Sequence, residues 1–130
     1  MPTILIADDN KDLRGMWRHL LESHAYDVLE AADGHEAAER AVSERPALII
    51  MDLGMPGMDG LSAVAEIRRH VPASETEVLI VSAYDRLEFR TEAVAAGCGG
   101  FITKPVDPAT LLKMIRLLLR QEGGETAGPL

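Results

Sequence analysis

Cysteine occurs once in the 130 residues, at position 98. A lone thiol excludes an internal disulfide and points to a reducing compartment. Cations are in short supply: 13 Lys and Arg stand against 21 Asp and Glu, a formal net charge of −8. No basic cluster offsets that balance, so a phosphate backbone would be repelled and direct nucleic-acid binding is not expected. No apolar run approaches the roughly 20 residues needed to span a bilayer. Met1 leads at once into a strand-like run, without a basic leader or a signal-type apolar core, and the expected setting is the cytoplasm. Repeats and low-complexity segments are absent too. What remains is a hydrophobic fraction of 47% and a charged fraction of 26%, ordinary for one globular domain with a single core.

The apolar pattern alternates between two periods. TILIA (3–7), ALIIM (47–51) and EVLIVSA (77–83) are short, rich in β-branched residues and nearly continuous in hydrophobicity, as strands covered on both faces are. DVLEA (27–31) and GFIT (100–103) are weaker and suit sheet edges. Between them lie helical patterns. Leu13, Trp17, Leu20 and Leu21 recur at helical spacing in the first. The second runs from about Gly34 to Ser43 and is stopped by Pro46; the third opens at Asp59 as N-cap, with Leu61, Val64 and Ile67 on one face. The fourth spans Arg86 to Ala96 and ends at Gly97, and the last begins with Asp107 as N-cap and Pro108 at the first helical position, continuing to about Arg120. Five strands alternating with five helices predict an α/β fold with a doubly wound parallel sheet. Residues 1–121 are expected to form the domain and 122–130, EGGETAGPL, a flexible tail.

In open α/β sheets the functional crevice lies beyond the carboxyl ends of the strands. Asp8 and Asp9 follow the first strand, Asp52 the third, Ser82 the fourth and Lys104 the fifth. Separate segments thus bring three carboxylates, a hydroxyl and an ammonium to one edge. At 4 Å a like-charge pair costs about 1 kcal/mol in water and about 4 at an effective dielectric of 20, so the cluster calls for a cation. An all-oxygen ligand set selects a hard ion that keeps waters and a phosphate in its shell, which describes Mg2+. Lys104 adds a point charge of the kind that partners a phosphate oxygen. An acidic site made attractive to phosphate by metal and lysine is a phosphoryl-transfer site, with Asp52 as nucleophile. Gly54, Pro56, Gly57 and Gly60 turn the chain away and leave space above Asp52.

These segments, LIADDN, IIMDLGMPGMDG, VSA and GFITKP, resemble in order and spacing the receiver domain of two-component response regulators, over about residues 3–121. The resemblance implies the flavodoxin-like strand order 2-1-3-4-5. It implies that Asp52 takes a phosphoryl group from a phosphohistidine on a sensor histidine kinase or phosphotransfer protein. Mg2+ would be held by Asp9, Asp52 and the carbonyl of Gly54, with Asp8 acting largely through water. Lys104 would contact the phosphoryl oxygen, Ser82 would move to hydrogen-bond it, and Phe101 would swing inward. A cis peptide is implied between Lys104 and Pro105. The fourth helix, fifth strand and fifth helix would form the readout surface for an output protein or a fused effector domain. In the family it resembles, the positions of Gly54 and Tyr84 flank the path of the water that hydrolyses the acyl phosphate. Gly54 opens it and Tyr84 obstructs it, so an altered phosphoryl lifetime is expected.

Two rivals share part of this pattern. A phosphohydrolase with an aspartate nucleophile needs a second Asp two residues on, where this chain has Gly54. A flavin-binding protein needs a hydroxyl- and glycine-rich phosphate cradle after the first strand, where this chain has DDNKD. Elsewhere the expectations are plainer. Met51, Met55 and Met58 are packing residues, His19, His24, His35 and His70 are surface residues, and Cys98 is buried and inert. Trp17 packs the first helix on the sheet and offers an edge for a kinase. On the last helix Leu111, Ile115, Leu118 and Leu119 form the core stripe. Leu112, Met114 and Leu117 are left to face outward, with Phe89, as a surface for a homodimer or partner.

Overall fold

Successive side chains on a strand point to opposite faces, so a strand apolar at every position needs cover on both sides. The computed structural model, which describes residues 2–54, 60–83 and 87–119, supplies that cover with five helices. The chain runs β1 (Thr3–Ala7), α1 (Lys11–Ser23), β2 (Asp27–Ala31), α2 (Gly34–Glu44), β3 (Leu48–Asp52), α3 (Gly60–Arg68), β4 (Glu77–Ser82), α4 (Leu87–Ala96), β5 (Gly100–Thr103) and α5 (Pro108–Leu119). All pairings are parallel and the order is β2-β1-β3-β4-β5. The two weakest strands by sequence are the two edges. The third strand is displaced by one residue from the expected 47–51, which makes Asp52 its last member.

The two faces are separate cores. Leu5, Ala7, Ile49, Met51, Val78 and Ile80 pack under α2, α3 and α4, whereas Ile4, Ile6, Leu48, Ile50, Leu79 and Val81 pack under α1 and α5. Trp17 and Leu21 are the buried residues by which α1 joins the second core.

Helix boundaries follow local chemistry. Asn10 caps α1, its side chain accepting from the Leu13 N–H at 3.1 Å. Asp33 caps α2 by accepting from the Glu36 N–H at 2.8 Å, and Glu36 reaches back to accept from the Ala32 N–H at 2.8 Å, a variant of the capping box. Asp107 caps α5 as expected, accepting from the Thr110 N–H at 3.0 Å, with Pro108 at the first position. The Asp59 cap, Met55, Met58, Tyr84 and the 122–130 tail lie outside the described residues.

Two expectations about side chains are corrected. Leu112 and Met114 do not face outward; both are half-buried against the α1–α5 core. The reason lies in β5: Gly100 has no side chain, and the Met114 Cε occupies that space, 3.1 Å from where a Cβ would stand. Cys98 is half-buried rather than buried, and burial pushes its thiol up to about 11. The four histidines are exposed.

Gly97 ends α4 at φ +106°, a conformation that L side chains rarely adopt, and its carbonyl accepts from Arg68 Nε at 3.0 Å. Arg68 also donates to the carbonyl of Thr76 at 2.8 Å, tying the end of α4 to the α3–β4 connection. Gly97→Ala is therefore expected to lower stability by at least about 1 kcal/mol, since alanine is incompatible with positive φ. Urea unfolding would show a lower midpoint at unchanged slope; an unchanged midpoint would contradict this account.

Candidate functional site

The last paired row between β1 and β3 is Ala7–Met51, so Asp8 and Asp52, one residue further along, emerge side by side. By strand alternation both share the α1–α5 face with Ile6 and Ile50. Asp8 and Asp52 are buried, 6% and 7% exposed, and Asp9 is exposed. Carboxylate oxygens of all three lie within 4.8 Å of one another. Burial holds the Asp8 carboxyl above its ordinary range; the Asn10 N–H, donating to its Oδ1 at 2.8 Å, opposes this, and the Asp52 charge adds to it.

Asp52 is held at both oxygens. Its Oδ1 accepts from the Gly54 N–H at 3.0 Å and its Oδ2 from Lys104 Nζ at 3.2 Å. Lys104 is placed by its own main chain, whose N–H donates to the Ser82 carbonyl at 2.8 Å, and by a cis peptide to Pro105. Ser82 is buried at the end of β4, and by alternation it shares the opposite face with Ile80. Phe101 is paired in register with Ile80, half-buried against that same core, and the Arg90 guanidinium stands 4.7 Å from its ring centre. The sheet thus separates the carboxylates, on the α1–α5 side, from Ser82 and Phe101, on the α4 side.

Glycines shape the approach. Gly54 is exposed, and a Cβ there would lie 3.7 Å from Asp52 Oδ1, an ordinary contact, so this position accepts a side chain. Gly60 differs: a Cβ would stand 3.1 Å from the carbonyl oxygen of Asp52 and 3.1 Å from Leu53 Cα, so α3 starts against the backbone that carries Asp52. A cleft of about 520 Å3 opens beside the site, lined by Leu13, Met16, Trp17, Pro105 and Val106 and reaching Asp8, Asp52 and Lys104.

The donor set fits Mg2+. Three carboxylates supply oxygens only, and one oxygen of each lies within 4.8 Å of the others, so a single small ion can meet them. Every expected site residue that the structure describes falls at this end of the sheet. Two contacts were not foreseen in the sequence: the Arg90–Phe101 stack, and Arg14, which donates to the main-chain carbonyl of Asp8 at 2.7 Å. Arg14 carried a legible signal, since it follows the Asn10 cap by four residues and so sits on the first turn of α1, beneath the acidic pair.

A model of the response regulator receiver domain matches residues 4–116. The chain belongs to that family. Among curated proteins, the receiver domain is 34% identical over 119 residues to protein PilH of Pseudomonas aeruginosa, covering 92% of this chain and 98% of that one. It is 33% identical to the DNA-binding dual master transcriptional regulator RpaA of Synechocystis, covering 93% of this chain and 50% of the relative. The chain therefore spans about half the length of that curated relative. Among solved structures, chemotaxis protein CheY4 of Vibrio cholerae is 35% identical with a TM-score of 0.83, covering 91% of this chain and 98% of that one. A CheY-like receiver domain from Methanospirillum hungatei is 28% identical with a TM-score of 0.87, covering 95% and 97%.

Crowding of carboxylates makes one outcome specific. Without metal, Asp8→Asn should raise stability by on the order of 1 kcal/mol, because a like charge is removed while the side-chain oxygen that accepts from Asn10 is kept. Added Mg2+ should stabilise the parent more than the variant. Urea unfolding in EDTA and in Mg2+ checks both; a variant less stable than the parent in EDTA would contradict it.

Proposed function

We propose that this receiver domain is a phosphorylation switch in which Asp52 is the phosphoacceptor. The observation that supports this most directly is the pairing of Asp52 with Lys104 at 3.2 Å inside a cluster of three carboxylates. A carboxylate oxygen of Asp52 attacks phosphorus, the P–N bond of a donor phosphohistidine breaks, and the imidazole departs with the bonding pair. Asp9, Asp52 and the Gly54 carbonyl would hold Mg2+, with Asp8 acting through water. Bound there, the ion supplies positive charge to the carboxylates and to the phosphoryl oxygens. Lys104 exchanges its contact with Asp52 for one with a phosphoryl oxygen, Ser82 donates to another, and Phe101 moves into the space Ser82 leaves. The domain assists its own phosphorylation and dephosphorylation and otherwise serves as a regulator.

The donor is a sensor histidine kinase or a phosphotransfer protein, and the apolar cleft beside Asp52, with Met16 54% exposed at its edge, suits contact with it. The output is carried by α4, β5 and α5 to a partner protein or a fused effector domain, in the cytoplasm. Leu87 and Val94 on α4 and Leu117 on α5 are 79%, 71% and 62% exposed, an apolar surface suited to a homodimer or an output partner.

Incubation with phosphoramidate and Mg2+ is expected to add one hydroxylamine-labile phosphoryl group per chain, read by intact mass. Asp52→Asn should take up none, and uptake at the parental level would remove Asp52 from this role. Phosphorylation should also change self-association or partner binding, and Leu117→Glu should weaken whichever is seen. Sedimentation and partner pull-down unchanged by Leu117→Glu would dispose of this surface.

A further inference from the structure

The acidic pair is gripped from behind by a cation that is not part of the carboxylate cluster. Arg14 Nη1 donates to the Asp8 carbonyl at 2.7 Å, and Arg14 Nε donates to Glu30 Oε1 on β2 at 2.8 Å. The Arg14 side chain is only 13% exposed. That carbonyl belongs to the peptide joining Asp8 to Asp9, so the bond ties the backbone between the two acidic residues to α1. Glu30 fixes the guanidinium plane, and the guanidinium fixes the peptide; a planar fork can make both bonds, whereas an ammonium is a single point donor. Arg18 provides an internal comparison. It donates to the other oxygen of Glu30 at 2.8 Å, but its second partner is Glu22, out on the same helix.

We propose that Arg14, oriented by Glu30, is a positioning residue for the cation site: it holds the Asp8–Asp9 peptide so that the carboxylates are set for Mg2+ before the ion arrives. The proposal rests on reading Asp8, Asp9 and Asp52 as the Mg2+ site. Charge and position make opposite demands here. Arg14 is a cation near a cation site, so Coulomb repulsion alone says that Arg14→Ala binds Mg2+ more tightly. Positioning says that it binds more weakly. Arg14→Lys separates the two further, because it keeps the charge and loses the fork.

The test is a Mg2+ titration of the full chain, followed by calorimetry and by Trp17 fluorescence, which reports on the cleft that Trp17 shares with Asp52. Loss of an orienting partner behind metal ligands weakens affinity by about tenfold or more, which is expected of both Arg14→Ala and Arg14→Lys, with Arg69→Ala just after α3, whose partner is Glu66, staying within about twofold of the parent. Phosphoryl uptake by the Arg14 variants should be restored at saturating Mg2+, placing the defect in metal affinity. Thermal unfolding in EDTA establishes that each variant is folded, and Arg14→Lys decides the matter should Arg14→Ala fail to fold. The proposal is overturned if either folded Arg14 variant binds Mg2+ as tightly as the parent or more tightly, or if Arg69→Ala weakens binding equally. A parent that binds no Mg2+ would overturn the site reading itself.

Discussion

Three carboxylates within 4.8 Å of one another, two of them buried at the end of an apolar sheet, are an arrangement that no isolated peptide would adopt. Burial, with the Asp52 charge adding to it, holds the Asp8 carboxyl above its ordinary range. The surrounding contacts divide the work of holding it. The Asn10 and Gly54 N–H groups each donate to a carboxylate oxygen, and Lys104 brings a counter-charge to the third strand. Gly60 lets α3 begin against the Asp52 backbone, so the residue is fixed in position as well as in charge. A parallel sheet covered on both faces leaves its strand ends as the place where polar chemistry can stand, which is why the cluster forms there and not elsewhere.

Much of this was legible from residue order. Runs such as Thr3–Ala7 announce buried strands by continuous hydrophobicity, and the polar residues that terminate them announce the site. Asp107 followed by Pro108 marks the start of α5 through local hydrogen bonding alone. The misreadings came from what is not local. Helical spacing points Met114 to solvent because it describes one helix at a time; its burial depends on Gly100, fourteen positions earlier on another element. The Arg14–Glu30 pair joins residues sixteen apart across a crossover and leaves no periodic trace. The Arg90–Phe101 stack is hidden for the same reason.

The helices are anchored unequally, and the inequality bears on signalling. α1 is held by Trp17 and Leu21 in the core, by Arg14 on the Asp8 carbonyl and Glu30, and by Arg18 on Glu30. α4 has Ala93 as its buried residue, while Leu87 and Val94 stand in solvent. Its far end is tied down by Gly97 to Arg68, but its face toward the site meets Phe101 through the Arg90 stack, an interaction of about 0.5–1 kcal/mol at an exposed position. A ligand moves a two-state element only by its differential contacts, so a phosphoryl group shifts whatever resists least. Contacts made to the carboxylate side meet a rigid frame, and contacts made through Ser82 and Phe101 meet a helix with little apolar surface to lose. On the proposed route through Ser82 and Phe101, the response would run toward α4 and away from α1 because of where the chain buries its side chains.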